Sequence, residues 1–212
     1  KNIAMSLQML EGFKELGFIG IIPTPHVYQE LYPNTPATIK KAFYTLTREC
    51  SGTNTIKVTS YGAEYMVDEV FMKNLKTSMP SLLLPSRCIL VEINFFGQTR
   101  MLHEAGFTLQ QGNITPILAH PERYHLIKEI KDYRALKHKG FLLQLNALSL
   151  VGHYGPEVKQ KALQLLKAGL YDFVATDAHH PDHLKVLKNL RLTKKQGLQW
   201  QAIREHQQAV FS

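Results

Sequence analysis

The 212-residue chain contains only two cysteines, Cys50 and Cys88. Two thiols cannot build a disulfide framework, and a reducing compartment, the cytoplasm, is expected. Long hydrophobic runs are missing too. Nothing approaches the roughly 20 apolar residues needed to cross a bilayer, so no membrane insertion is expected. The opening KNIAMSLQML has neither a continuous apolar core nor a small-residue cleavage site, and is not expected to act as a signal peptide. The chain also lacks internal repeats, low-complexity segments and any Pro/Gly/Ser linker long enough to divide it, which implies one domain over residues 1–212. Glycine-rich dinucleotide fingerprints, a Walker loop and a G-x-S-x-G elbow are absent, which argues against those chemistries.

What is present is ordinary in bulk. Hydrophobic residues make up 44% of the chain, typical of a soluble globular protein. The net charge is +8, and six Lys/Arg fall between Lys185 and Arg204. Such a segment suits an anionic partner (nucleic acid, phosphate ester, acidic peptide or membrane surface), or it is simply a solvated helix face.

Short apolar runs alternate with amphipathic stretches. The runs are FIGIIPT (18–24), IKVTSYGAE (56–64), ILVEINF (89–95), ITPILAH (114–120), FLLQLNA (141–147) and FVATDAH (173–179), and most are rich in β-branched or aromatic residues, as strands require. Helical patterning covers 2–16, about 36–50, 99–111, 129–139 and 156–168; in the last, Val158, Ala162, Leu165 and Leu166 share a face. Gly17, Gly112, Gly140 and Gly169 follow helical patterns, where a left-handed residue is wanted. Strand starts lie about 25–38 residues apart, the length of a βα unit, so an α/β fold with a parallel sheet is expected, either a barrel or a doubly wound sheet.

The runs end on reactive side chains. PTPH closes the first with His26, GAE the second with Glu64, and VEI places Glu92 in the third; ILAHPER brings His120, the fifth run reaches Asn146, and TDAH ends the sixth with Asp177 and His179. In parallel α/β folds the C-terminal strand ends form one rim, where active sites are built. Imidazoles and carboxylates without cysteine suit a mixed nitrogen–oxygen site for Mn, Fe or Zn. Facing carboxylates repel unless a cation intervenes. Taken singly, each residue has a plainer reading: a hydrogen-bonded core histidine at His120, a paired buried acid at Glu92, a turn cap at His26 and a helix N-cap at Asp177. Arg123 reads either as a phosphate clamp leaning over the rim or as an exposed salt bridge to Glu122. Asn146 reads either as a contact to water or substrate or as a strand-end turn. His103, His125, His138, His153, His183 and His206 fall in helical or loop patterns and read as surface residues.

Together, PTPH, GAE, VEINF, ILAHPER and TDAH, with SLVGHYGPEVKQKALQLL before the last run, resemble the bacterial metal-dependent tyrosine phosphatases of the PHP (polymerase and histidinol phosphatase) superfamily, found with capsular and extracellular polysaccharide genes. The resemblance spans nearly the whole chain. It implies a distorted (β/α)7 TIM-like barrel with two or three metal ions, usually manganese. It makes His26, Glu64, Glu92, His120, Asp177 and His179 ligands, with Glu64 bridging, and Arg123 the phosphate contact. Apart from the resemblance, the rim position of Asp177 and His179 makes either a candidate proton relay, and Asn146 stays a candidate substrate contact. The family's opening strand with H-x-H and the D-D-G turn after it are absent from this sequence, and are expected upstream of Lys1. Where many relatives carry an arginine after D-A-H, this sequence has His180, His183 and Lys185.

A cysteine phosphatase is excluded by spacing, since C-x5-R would need arginine at Ile56 or Asn94. The resemblance implies a phosphotyrosine protein as partner, a bacterial tyrosine kinase of polysaccharide export. A histidinol-phosphatase-like enzyme for small molecules and a non-catalytic PHP binding module are the alternatives. QWQAIREHQQAVF lacks the interleaved aromatics of a single-strand-binding surface, which argues against nucleic acid. Association into a homo-oligomer is compatible with the sequence.

Overall fold

A computed structural model of the protein describes residues 2–51, 55–94 and 99–211. Helix α1 (Ile3–Glu15) starts at Asn2, whose side chain accepts the Met5 amide. Strands β1 (Gly20–Ile21) and β2 (His26–Val27) precede α2 (Pro36–Cys50), which opens on a Thr35–Thr38 capping box. Then come β3 (Lys57–Val58), β4 (Glu64–Met66), α3 (Glu69–Leu75), β5 (Cys88–Glu92) and α4 (Thr99–Gln111). The remainder is β6 (Thr115–Ala119), α5 (Ile130–His138), β7 (Leu142–Asn146), α6 (Ala147–Leu150), α7 (Pro156–Lys167), β8 (Phe173–Ala175), α8 (Pro181–Leu187) and α9 (Lys194–Phe211). The result is an α/β architecture with parallel strands. Six of them lie in the order β2-β4-β5-β6-β7-β8, and β1 pairs with β3 in a separate ribbon. Among the described residues no helix is long and apolar enough to cross a membrane.

The first two apolar runs each divide. Residues 18–24 hold β1, while His26 opens the next strand; residues 56–64 hold β3, while Glu64 opens β4. Pro23 and Pro25 carry no N–H to give a ladder, so the first run cannot stay one strand. Phe95, the last residue of the third run, lies outside the described residues. Of the four glycines expected in left-handed turns, Gly17, Gly140 and Gly169 have φ of 82°, 80° and 67°; after α4 the left-handed residue is Asn113 (φ 55°), not Gly112. Asparagine tolerates that region better than most residues.

Alternation along the central strands separates two cores. Ile89, Val91, Leu118, Leu143 and Leu145 face the helices, packing with Leu102, Ala105 and Leu109 of α4 and Ala162, Leu165 and Leu166 of α7. Cys88 and Leu90 join Ile117, Ala119 and Phe173 on the opposite face. There Phe211 of α9 stacks on Phe173 at 5.0 Å, and Val210 packs beside it. The basic C-terminal helix therefore covers one end of the inner core. Glu92 follows Cys88 and Leu90 on the inner face, at the other end.

Gly106 marks how tightly α4 lies on this sheet. A Cβ there would clash with the edge of the Phe141 ring, which is 2% exposed and packed in the core. Gly106→Ala is expected to destabilise the protein by about 1–3 kcal/mol through overpacking. Urea unfolding would measure this, and an unchanged midpoint would refute the contact.

Candidate metal centre

Strand register brings the reactive side chains together. His26 pairs with Glu64, and the same row continues through Leu90, Ile117 and Leu142. Glu92 lies two residues beyond this row, His120 three and Asn146 four, so the site climbs steadily across the sheet. Asp177 and His179 follow β8 in the loop before α8. His120 and Asp177 have φ of 35° and 49°, the left-handed region, which costs on the order of 1 kcal/mol or more and tends to persist where function requires it.

Four side chains form the centre. His120 Nε2 lies 3.1 Å from Glu64 Oε1 and 3.6 Å from Glu92 Oε2. His26 Nε2 lies 3.7 Å from Glu64 Oε2 and 3.7 Å from Glu92 Oε1. His26, Glu64 and Glu92 each offer one ligand atom within 4.8 Å of the others. Both carboxylates are buried, as is His120. Burial, and then the neighbouring Glu64 charge, push the Glu92 carboxyl up to about 8. Glu64 moves the other way: burial opposes ionisation, but the hydrogen bond and charge of His120, with His26 and His179, outweigh it. At His120, burial lowers the pKa, yet the Glu64 bond and charge leave it raised overall. Burial holds His26 below its ordinary value.

Beside this centre stands a second group. Asp177 Oδ2 accepts from Arg123 Nη1 (3.1 Å) and Asn146 Nδ2 (2.8 Å). The Arg123 guanidinium lies 4.2 Å over the Tyr154 ring. Asn146 also donates to Tyr154 Oη (3.1 Å), while its oxygen accepts the Leu148 amide and caps α6. His179 Nδ1 lies 2.8 Å from the Asp177 carbonyl oxygen. A carbonyl only accepts, so Nδ1 carries a proton, and in the uncharged form of the ring the lone pair lies on Nε2. The His26 and His179 rings are 5.2 Å apart, which links the two groups.

Two readings from the sequence change. Arg123 does not pair with Glu122. Glu122 is 1% exposed, and its oxygens accept from the Asn146 amide (3.0 Å), Ser149 Oγ (2.7 Å) and Tyr171 Oη (3.0 Å). It anchors the end of β7, and through it Asn146. His183, read as a surface residue, is half-buried at the rim, where its Nδ1 accepts the His179 amide and its ring lies 4.8 Å from that of His153. Glu122 and Tyr154 escaped sequence reasoning. A charged residue directly after the proline that follows a strand, and a tyrosine flanked by nearby glycines, were the available signals.

The donor set fits a divalent cation. Each of the two imidazoles has a nitrogen within 4 Å of both buried carboxylates. Burial first, and the adjacent Glu64 charge second, disfavour the Glu92 carboxylate; a cation held between the two acids would offset both.

A family profile described as capsular polysaccharide synthesis, CpsB/CapC, matches residues 1–196. The chain belongs to the CpsB/CapC family. Among its curated relatives, the tyrosine-protein phosphatase YwqE of Bacillus subtilis (strain 168) is 30% identical over 178 residues, covering 84% of this chain and 70% of YwqE. The tyrosine-protein phosphatase CpsB of Streptococcus pneumoniae is 26% identical over 181 residues, covering 82% of this chain and 74% of CpsB. A solved structure from work on YwqE of B. subtilis and CpsB of S. pneumoniae, described as unique metal-dependent tyrosine phosphatases, aligns with a TM-score of 0.75 and 26% identity. It covers 96% of this chain and 86% of the solved one.

Proposed function

We propose that the protein is a metal-dependent protein-tyrosine phosphatase, hydrolysing the phosphomonoester of a phosphotyrosine protein. The observation that carries this reading is the cluster of His26, Glu64, Glu92 and His120 beside the Arg123–Asp177 pair. Membership of a family with tyrosine-phosphatase relatives supports it. The fold is a distorted (β/α)7 barrel forming one domain, a reading supported by the parallel order and climbing register. Cys50 and Cys88 are not joined in a disulfide, which accords with the cytoplasm, and the partner is a bacterial tyrosine kinase of polysaccharide biosynthesis.

His26, Glu64, Glu92, His120, Asp177 and His179 would hold two or three divalent cations, manganese foremost. When bound, the cations supply Lewis acidity, lowering the pKa of water and offsetting phosphoryl charge. Arg123 orients the phosphate; stacking on Tyr154 and the bond to Asp177 fix its plane before substrate arrives. Asn146 holds Asp177 in place and lines the substrate side of the rim. His179 has one lone pair, on Nε2, so it either ligates a cation or relays a proton to the phenolate leaving group; Asp177 is the other candidate for that relay.

Mn2+ titrated into chelator-treated protein with its natural termini should raise the melting temperature. At 100 times Kd the gain is about 2.7 kcal/mol, or roughly 5–10 °C for a chain of this size. The same samples should release phosphate from a phosphotyrosyl peptide. Activity on histidinol phosphate alone would replace the tyrosine reading, and an unmoved melting temperature would remove the metal.

A further inference from the structure

One side of the site is walled by rings. Tyr32 stacks on His26 with centroids 4.9 Å apart and planes 23° from parallel. Contacts continue from His26 to His179 (5.2 Å), His183 (6.3 Å), His153 (4.8 Å) and Tyr154 (4.8 Å), where Arg123 lies over the ring. The arc thus runs from the metal-binding histidine to the phosphate-binding arginine.

At its Tyr32 end the arc is open and apolar. Tyr32 is 49% exposed and the adjacent Leu31 is 68% exposed. Single exposed apolar residues need no explanation, but this pair is clamped. Tyr28 N donates to Tyr32 O (3.0 Å) and Tyr32 N to Tyr28 O (2.6 Å), closing a tight bridge. Leu31 N donates to Tyr28 O (3.2 Å), and Asn34 Nδ2 donates to the His26 carbonyl (2.8 Å), tying the far side of the turn to the strand that carries His26. A turn held this firmly presents its side chains at little ordering cost when a ligand arrives.

We propose that Leu31 and Tyr32 form the contact surface for the aromatic ring of the substrate, selecting aryl over aliphatic phosphate esters. The inference rests on the phosphatase reading above and names its substrate class. In an aryl phosphate the ring is joined to phosphorus through a single oxygen. A phosphate held at the His26 end of the arc therefore has its ring within reach of Tyr32, the exposed aromatic stacked on His26, where offset or edge-to-face pairing is available. Leu31 supplies apolar area next to it. Tyr32 loses few side-chain rotamers on binding, since its stacking on His26 already fixes it.

The test uses two non-reacting ligands, phenylphosphonate and methylphosphonate, titrated calorimetrically into Mn2+-loaded protein with its natural termini. Tyr32→Ala should weaken phenylphosphonate by about three- to tenfold and leave methylphosphonate unchanged. Tyr32→Phe should bind both as the parent does, and Leu31→Ser should weaken only the aryl ligand. Equal weakening of both ligands by Tyr32→Ala would show that Tyr32 acts only by supporting His26, and would overturn the inference while leaving the phosphatase reading intact. No change in either ligand would do the same. If the parent bound neither phosphonate, the phosphatase reading would fall together with this one.

Discussion

Replacing His120 with alanine should lower kcat/KM on a phosphotyrosyl peptide by at least about 1,000-fold, roughly 4 kcal/mol of transition-state stabilisation. Metal content per chain should fall in the same preparation. His120 touches both buried acids, at 3.1 Å from Glu64 and 3.6 Å from Glu92, and no other residue described in the centre replaces its nitrogen. Removing it takes an imidazole from the centre and leaves two carboxylates facing each other in a buried setting, which further favours protonation of one of them. Steady-state kinetics and atomic emission on one sample separate this from unfolding, provided circular dichroism matches the parent. A variant with parental turnover and parental metal content would remove His120 from the ligand set.

Glu122→Ala should produce the largest loss of stability among the substitutions discussed. It removes the acceptor for three buried donors, the Asn146 amide, Ser149 Oγ and Tyr171 Oη. Buried donors left without partners cost about 1–3 kcal/mol each, less than additively within one network, so a total of ~3–5 kcal/mol is expected. Burial also keeps the Glu122 carboxyl above its usual range, with the Ser149 bond pulling against it. Glu122→Gln retains the shape and one oxygen, and should cost about half as much. Because Asn146 donates to Asp177, both variants should also lower kcat at temperatures where they remain folded. Chemical denaturation of the three proteins measures the order; an alanine variant within about 1 kcal/mol of the parent would show that water or a neighbour satisfies these donors.

The contrast between His120 and Glu122, two residues apart, shows what the sequence could convey. His120 ends an apolar run, and a strand that stops on an imidazole is visible in one dimension. Glu122 looks like half of a surface pair with Arg123, and only the packing of α6 and Tyr171 against the turn makes it a buried anchor. The same distinction holds for the fold. Helices α1, α2, α4, α5 and α7 follow their amphipathic stretches closely, because caps and apolar spacing are local. Strands β1 and β3 are two residues each and carry no periodicity, so they merged with their neighbours into single runs. Helices α3, α6 and α8 are seven residues or fewer, too short to display a face. Tyr154 and Tyr32 gain their meaning only from rings brought to them across the fold.

The climbing arrangement of the site also distributes stiffness unevenly. Its middle, Glu92 and His120, stands at the ends of two adjoining five-residue strands with neighbours on both sides. Its flanks belong to the edge strands, β2 with two residues and β8 with three. Local opening begins where backbone pairing is shortest. The protein thus has a firm keel of long strands under Glu92 and His120, while at the gunwales short strands leave the bonds of Asn34 to His26 and of Arg123 and Asn146 to Asp177 to do the bracing.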